Sequence, residues 1–413
     1  MISEAFVWVY LPKHAEPVVC GRLFAREDGA YSFVYGRSYR DREDSIPLTP
    51  DTMPLGANIF TGRRSGALPG PIRDASPDAW GRYVTEYRRG GAPLDELDVL
   101  LSGDGDRIGA LAFSNSATEC RAAESPPVTL ADMEAAARGV QEGKPLPQEL
   151  VDALLHGTSI GGARPKAIIS VDGGHWIAKF SSATDQYRVV RWEAATLSLA
   201  RAAGIRVPKH RLEQVNGRDV LLVERFDRES THGVRRHLML SALTLLDLDD
   251  TEAALASYPD LSEVLLRFAR DPAADRAELF RRMVFNILVG NEDDHAKNHA
   301  CFWDGTHLRL TPAYDLVPQR RVGMEGRQAM IVGALGSGGR VSTLANAFTS
   351  AHRFGLDPDE AGVIAEGVLR AVREQWEQCF VDVQVPRNEI DALRGTSVLS
   401  PLAVGNLTPF SRN

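Results

Sequence analysis

The sequence predicts an α+β fold, with a strand-rich N-terminal part and a mostly helical C-terminal part. Residues 1–113 contain short apolar runs such as FVWVYL, YSFVY and ALAF, separated by turn residues, which is typical of strands. Long amphipathic runs at residues 261–290 and 357–380 are typical of helices that pack on a core. A chain of 413 residues is long enough for two or three subdomains.

Breaks in these patterns divide the chain into three predicted parts. Residues 1–128 form a β-rich subdomain that ends in a polar, Pro-containing linker, residues 129–226 form a smaller lobe, and residues 227–413 form a helical lobe. Within the first part, Ser76 is the expected N-cap of a helix that reaches about Arg89, with a proline at the first helical position. Thr129 is the expected N-cap of the helix that opens the second part.

Composition excludes several classes of protein. The chain is 44% apolar and 25% charged with a net charge of −8, which argues against strong unaided binding to DNA. No run of apolar residues approaches the length of a membrane span, and the start of the chain lacks the pattern of a signal peptide. The cysteines are isolated and predict buried thiols in a reducing cytoplasm, not disulfides or zinc ligands: Cys20, Cys120, Cys301 and Cys379.

The segment NEDDHAKN at residues 291–298 carries the strongest chemical signal. Asp293 and Asn298 are five positions apart, which is the spacing of the catalytic loop in protein kinases, and Asp315 follows 17 positions after Asn298. Phosphoryl transfer needs one carboxylate that orients the attacking hydroxyl, and an amide and a second carboxylate that hold the metal. Asp294 does not fit this spacing, so Asp293 is the predicted base. The alternative interpretation of such a segment is a turn or a helix cap.

A glycine-rich segment and a hairpin precede this loop. Residues 157–167 have the sequence GTSIGGARPKA, in which the glycines allow the backbone to approach a phosphate. Residues 167–171 and 175–180 are two apolar runs joined by Asp-Gly-Gly, which predicts a β-hairpin. Lys179 lies in the second strand, where it would reach nucleotide phosphates. The alternative is an edge-strand lysine with its amine in water.

Two further segments fit a kinase. Glu193 lies in a predicted amphipathic helix and would pair with Lys179, as a helix glutamate does in kinases; a solvated helix face is the alternative. Residues 219–228, DVLLVERFDR, predict a buried strand that passes into a hinge where backbone groups bond an adenine edge. The alternative for this strand end is a Glu–Arg pair on the surface.

Together these segments resemble the HipA-type serine/threonine kinase toxins of bacterial toxin–antitoxin modules. The resemblance is carried by SIGGARPKA, AKF, VERFDR, NEDDHAKNHA and TPAYDLVP, in this order over residues 157–318. The segments GRLFAREDGAYSFVY, SIPLTPDTMPL, PDAWGRYV and IGALAF resemble the small N-terminal subdomain of that family. The resemblance implies a bilobal protein-kinase-like fold, in which residues 129–226 are the nucleotide-binding lobe and residues 227–413 the catalytic lobe.

The resemblance also implies roles for individual residues and for cofactors. Asp293 would be the catalytic base, Asn298 and Asp315 would bind Mg²⁺, and Ser159 would be the site of autophosphorylation. The remaining matched residues would bind ATP: Gly161, Gly162, Ala163, Arg164, Lys166, Lys179, Glu224, Arg225, Phe226, His295, Lys297 and Tyr314. The metal-binding segment is Tyr-Asp-Leu and not Asp-Phe-Gly, so the activation-loop logic of eukaryotic kinases is not expected.

The resemblance implies a toxin that phosphorylates a protein, such as an aminoacyl-tRNA synthetase, and that a small helix-turn-helix antitoxin of the HipB type restrains. Contact with DNA would then occur only through the antitoxin complex. Two alternatives stay open at this point. The first is a small-molecule phosphotransferase, because kinases of the aminoglycoside type carry a related Asp-to-Asn loop. The second is a co-repressor that binds a DNA-binding partner and whose kinase site is inactive or switched off.

Overall fold

The computed structural model describes residues 3–102, 106–120, 128–156, 162–171, 173–182, 184–229, 234–321, 323 and 325–405. The chain is 39% helical and 20% strand, which confirms the predicted α+β class. None of the helices within these ranges is both long and apolar enough to cross a membrane.

The strands are β1 (Glu4–Tyr10), β2 (Pro17–Ala25), β3 (Tyr31–Tyr35), β4 (Ile59–Thr61), β5 (Leu111–Ser114), β6 (Lys166–Val171), β7 (Gly174–Phe180), β8 (His210–Val215), β9 (Arg218–Glu224), β10 (Arg228–Glu229), β11 (Arg235–Arg236), β12 (Leu238–Ser241), β13 (Ala300–Trp303) and β14 (Leu308–Leu310). The helices are α1 (Arg37–Arg40), α2 (Gly70–Asp74), α3 (Ala79–Arg88), α4 (Glu96–Leu101), α5 (Leu130–Gln141), α6 (Gln148–His156), α7 (Val189–Ala202), α8 (Ala242–Leu245), α9 (Tyr258–Phe268), α10 (Pro272–Val289), α11 (Leu344–Thr349), α12 (Pro358–Asp382), α13 (Arg387–Leu393) and α14 (Pro401–Val404). Short 3₁₀ turns lie at Ala253–Leu255, Ala296–Asn298, Ser337–Gly339 and Ala351–Phe354.

The chain forms two compact units. The first unit contains residues 1–185, 211–240 and 302–306, and the second contains residues 186–210, 241–301 and 307–413. These units do not coincide with the predicted parts 1–128, 129–226 and 227–413, since α7 groups with the helices of the second unit. The division into three parts stays a prediction.

In its described residues, the first unit contains two larger sheets and the two-stranded antiparallel sheet of β10 and β11. The N-terminal sheet has the order β4-β3-β2-β1-β5, and the second has the order β6-β7-β9-β8. The predicted hairpin is confirmed as β6 and β7, which pair from Lys166 opposite Lys179 to Val171 opposite Gly174. Helices α3, α5 and α6 cover this sheet with buried side chains such as Trp80 and Leu154. Thr129 caps α5 as predicted, in a reciprocal capping box with Asp132.

The predicted N-cap at Ser76 is wrong, since α3 begins at Ala79 and Asp78 occupies the cap position. The Asp78 side chain makes no hydrogen bond to the helix; its carboxylate instead accepts from the backbone N–H of Gly162, at 2.8 Å. A contact between residues far apart in sequence has thus replaced the local cap that the Ser-Pro-Asp pattern favours.

The second unit is built around α10, most of whose side chains are buried. The predicted run at 261–290 is two helices, because Pro272 opens α10 and the chain at Ala269 is already extended. Helix α12 confirms the run at 357–380 and packs against both α7 and α10. Strand β13 follows the predicted catalytic segment.

A buried charge network in the first unit joins the end of β9 to the residues that precede β5. Arg225 donates to Asp106 at 2.9 Å and to Asp227 at 2.9 Å, and Arg228 donates to the same two carboxylates at 2.8 Å. Both guanidinium groups also donate to the backbone carbonyl of Arg107. Burial alone would raise the pKa of Asp106 and Asp227, but the two arginine charges outweigh it and hold each pKa well below its usual range.

We expect Asp106→Asn to lower the free energy of unfolding by about 3 kcal/mol, because removing one partner leaves buried arginine charge uncompensated. Urea denaturation of both proteins measures the difference. The control is Asp44→Asn, since Asp44 pairs with Arg42 on the surface, where loss of the pair costs under about 1 kcal/mol.

This difference should depend on pH. A carboxylate whose pKa is depressed by folding stabilises the protein above its unfolded pKa of about 3.9 and loses that contribution as the pH falls. The gap between the wild type and Asp106→Asn should therefore be constant near neutral pH and should shrink below about pH 4. A gap that stays constant down to pH 2 would contradict the role of the ionised carboxylate.

Candidate functional site

The predicted catalytic segment begins where α10 ends. Gly290 terminates the helix in the left-handed conformation, with φ 70° and ψ 34°, and its N–H donates to the carbonyl of Asn286. A Cβ at Gly290 would lie 2.7 Å from the carbonyl oxygen of Ser397. Only glycine fits both the dihedral angles and this close approach.

Within the segment, the two adjacent aspartates have opposite environments. Asp293 is exposed, whereas Asp294 is 1% exposed. The Asp294 carboxylate accepts from Asn286 Nδ2 at 2.6 Å and lies 2.9 Å from His299 Nε2. Asp293 is therefore accessible to a substrate hydroxyl and Asp294 is not, which supports the prediction that Asp293 is the base.

Hydrogen bonds close the segment into a tight turn. The N–H of His295 donates to the Asp293 carbonyl at 2.9 Å, and the N–H of Asn298 donates to the His295 carbonyl at 2.8 Å. Asn298 Nδ2 also donates to the Asp293 carbonyl, at 3.2 Å. The predicted base and the predicted metal ligand Asn298 thus belong to one rigid turn.

The hydroxyl of Tyr314 ties the second predicted metal segment to this turn. It donates to the Lys297 carbonyl at 2.7 Å, so the residue before Asp315 contacts the residue before Asn298. Asp315 has a φ of 57° in the left-handed region. This conformation costs a non-glycine residue about 1 kcal/mol, although Asp and Asn adopt it more readily than other side chains.

The residues of this turn fit Mg²⁺. The hydrogen bond from Asn298 occupies its amide nitrogen, the atom that cannot ligate a cation, and a carboxylate and an amide oxygen are hard ligands of the kind Mg²⁺ prefers. In the described ranges no group of three or more His, Cys, Asp or Glu side chains could hold a metal. A metal bound here would keep several waters or use phosphate oxygens, which is usual for Mg²⁺ in phosphoryl transfer.

The other predicted nucleotide residues of this unit are accessible to solvent in part. His295 caps the 3₁₀ turn and is half-buried. Lys297 Nζ lies 2.7 Å from Asp250 Oδ1, in a partly exposed pair. Such pairs are weak, so an anionic ligand could exchange for Asp250.

In the first unit, the two predicted lysines are direct neighbours. Lys166 on β6 lies opposite Lys179 on β7, so their side chains share one face of the sheet. Strand β7 pairs with both β6 and β9, which contradicts the alternative of an edge-strand lysine at position 179. Lys166 is 4% exposed and Lys179 is half-buried.

Gly162 packs directly beneath one of these lysines. Its φ is 108°, and a Cβ there would lie 2.5 Å from Lys166 Nζ. Ala163 is exposed, and Arg164 donates to the Asp185 carboxylate at 2.8 and 2.9 Å. Ser159 and Gly161 lie outside the described residues.

The predicted hinge lies at the end of β9. Glu224 and Phe226 are half-buried, but Arg225 is 3% exposed and is fully engaged in the network with Asp106 and Asp227. The alternative of a surface Glu–Arg pair is therefore wrong. The contact of Arg225 with nucleotide stays a prediction. Such a contact would use backbone atoms, because the guanidinium group is already hydrogen-bonded to protein acceptors.

Sequence reasoning missed the residues that support these sites. Asp78 holds Gly162, Asp106 and Arg228 hold the end of β9, and Asn286 and His299 hold Asp294. Asp78 and Asp106 lie 84 and 122 residues from the residues that they bind, and Asn286 lies in a helix with the pattern of ordinary core. Arg228 and His299 are near their sites in sequence, but their partners depend on packing. Only the isolated polar Asn286 in the apolar run MVFNILV was a signal.

Comparison with known families decides the affiliation of the chain. A family model described as the HipA-like C-terminal domain matches residues 158–376, just over half of the chain. A second model, described as the HipA N-terminal domain, matches residues 14–114. The chain belongs to the HipA-type serine/threonine kinase toxin family. The resemblance inferred from the sequence motifs is therefore confirmed.

The chain is also similar to individual proteins. It is 33% identical to a protein named as putative kinase Y4dM of Sinorhizobium fredii over 321 residues, covering 74% of this chain and 75% of that protein. It is 27% identical to Y4mE of the same organism over 331 residues, covering 72% and 74%. It is 25% identical to the serine/threonine-protein kinase toxin HipA of Shewanella oneidensis over 240 residues, covering 51% and 54%.

The fold of a solved HipA structure is also similar. HipA of Shewanella oneidensis, in a complex with HipB and operator DNA, matches with a TM-score of 0.68 over 94% of each chain, at 19% identity. At this identity the match shows the fold alone, and it confirms the predicted kinase-like α+β fold.

We expect Gly290→Ala to be more destabilising than a glycine replacement elsewhere in the same unit. Gly395 has a φ of 65° with nothing near its Cβ position, so Gly395→Ala should cost only the left-handed strain, about 1 kcal/mol. Gly290→Ala should cost about 1–3 kcal/mol more, because its Cβ meets the backbone of Ser397. Urea denaturation of the two variants measures the difference, and equal losses would show that the close approach is unimportant.

Proposed function

We propose that this chain is an ATP- and Mg²⁺-dependent kinase that phosphorylates serine or threonine on a protein. One observation carries the proposal: a single hydrogen-bonded turn holds the exposed Asp293 and the amide of Asn298, and Tyr314, next to Asp315, bonds to the same turn.

In this proposal, the residues of the second unit orient the acceptor hydroxyl and hold the metal. Asp293 accepts the hydrogen bond of the attacking hydroxyl and aligns it with the phosphoryl group. Asn298 and Asp315 supply metal ligands, while His295, Lys297 and Tyr314 line the nucleotide. Mg²⁺, when bound, neutralises the phosphate charge that develops during transfer.

In the first unit, we assign the phosphates to Lys166, Lys179 and the segment at Gly161–Arg164. The register of the two strands supports this assignment, since it places Lys166 and Lys179 opposite each other on one face of the sheet. Glu224–Phe226 would hold the adenine. Ser159 would be the site of autophosphorylation, where an added phosphate of about −1.5 to −2 charge would repel ATP phosphates and switch the kinase off.

We further propose that a small DNA-binding protein similar to HipB restrains the kinase. The related Shewanella oneidensis HipA forms a complex with HipB and operator DNA, and a net charge of −8 suits indirect rather than direct contact with DNA. The protein substrate would be a translation component such as an aminoacyl-tRNA synthetase.

We expect Asp293→Asn to lower phosphate transfer by about 10²–10⁴-fold, because the positioned carboxylate is lost. Purified protein is incubated with labelled ATP and a cell lysate, and label is followed into protein and into small metabolites. Label in protein with the wild type alone supports the proposal, whereas label only in metabolites would favour a small-molecule phosphotransferase. An Asp293→Asn variant as active as the wild type would remove Asp293 from the mechanism.

We expect Asp315→Asn to raise the Mg²⁺ concentration needed for half-maximal ATP binding by about tenfold, because one anionic ligand is lost from a site with few protein ligands. Asparagine tolerates the left-handed backbone of Asp315, so the fold should be retained. Titration of Mg²⁺ against ATP affinity measures the change. An unaltered Mg²⁺ requirement would exclude Asp315 from the metal site.

A further inference from the structure

Asp294 is a buried carboxylate that the proposed reaction does not use. It is 1% exposed, and burial of a carboxylate costs several kcal/mol unless the group is well hydrogen-bonded. An acid at a buried position next to the exposed Asp293 therefore requires a structural explanation.

The contacts of Asp294 come from both sides of the turn. Asn286 Nδ2, in the last turn of α10, donates to Asp294 Oδ2 at 2.6 Å. His299, directly after the turn, places Nε2 at 2.9 Å from Asp294 Oδ1, although the approach lacks the alignment of a linear hydrogen bond. One carboxylate therefore meets a group on the helix and a group at the far end of the turn.

Further contacts hold these two partners in place. Asn286 accepts from Asn291 Nδ2 at 3.1 Å and its side chain also donates to the hydroxyl of Tyr258 at 3.2 Å. The ring of Tyr258 packs edge-on against His299 with the centroids 5.1 Å apart. Asn286 is fully buried and His299 is 2% exposed, so this cluster is part of the packed interior.

We propose that Asp294 is a positioning residue that locks the catalytic turn to helix α10. By accepting from Asn286 and contacting His299, it holds the middle and the end of residues 291–299 while Asn291 holds the start. Asp293, one residue away, is then presented to solvent with its main chain fixed. The inference depends on the proposed kinase function for its effect on rate, but not for its effect on the order of the turn.

The carboxylate presents one oxygen to each partner. An asparagine that keeps its oxygen towards Asn286 would place an NH₂ group against His299 and would remove the negative charge there, so the contact with His299 would change. Alanine would lose both and leave a void. The two substitutions therefore form a graded pair with nearly unchanged backbone requirements.

The test combines hydrogen exchange on the unliganded full chain with steady-state kinetics. The amides of His295 and Asn298 close the turn by donating to the carbonyls of Asp293 and His295, so they report its order directly. We expect these two amides to exchange at least about tenfold faster in Asp294→Asn and faster still in Asp294→Ala. We expect kcat to fall by about 10–10²-fold, with KM for ATP changed less than about threefold.

Asp293→Asn is the matched control, since it should abolish transfer while leaving exchange of the turn unaltered. Asn286→Ala breaks the same contact from the helix side, so the double variant Asn286→Ala/Asp294→Ala should lose little more kcat than Asp294→Ala alone. If the chain proves not to be a kinase, the exchange measurement still tests the anchoring. The proposal would be overturned if Asp294→Asn had the same exchange rates and kcat as the wild type. It would also be overturned if the variant lost activity with unaltered exchange, a result that would make Asp294 the base.

Discussion

The end of helix α10 is the constraint on which the proposed catalytic site depends. The helix can stop where it does because Gly290 adopts a left-handed conformation that brings its Cα against the backbone of Ser397. One turn earlier, Asn286 turns its polar side chain into the interior and receives the loop that follows. A rigid helix thereby sets the position of a loop whose own residues are too few to form a core.

A similar division between support and function is present in the first unit. The arginines of VERFDR are not directed at solvent but form a buried network with Asp106 and Asp227. The network fixes the backbone at the end of β9, where the nucleotide base is proposed to bind. The lysines on β6 and β7 are the residues of this unit that we assign to the phosphates, and they lie opposite each other on one face of the sheet.

Strain and buried charge both reduce stability, and here they are found next to the proposed chemistry. The left-handed backbone of Asp315 and the burial of the Asp294 carboxylate each lower the free energy of unfolding. A protein selected for stability alone would replace both with glycine or with apolar residues. Their presence is consistent with a loop in which a defined geometry matters more than the local free energy.

The sequence by itself determined the fold class, the hairpin of β6 and β7, helix α12, the Thr129 cap and the HipA affiliation, because periodicity, turn residues and motif spacing are local properties. Spacing also predicted Asp293, and not Asp294, as the base. Only the tertiary structure decided that Asp78 supports Gly162 and does not cap α3, that Arg225 is buried, and that Asn286 and His299 enclose Asp294. Each of these contacts joins residues whose pairing depends on packing in three dimensions, where the partner that satisfies a buried polar group is chosen by position and not by distance along the chain.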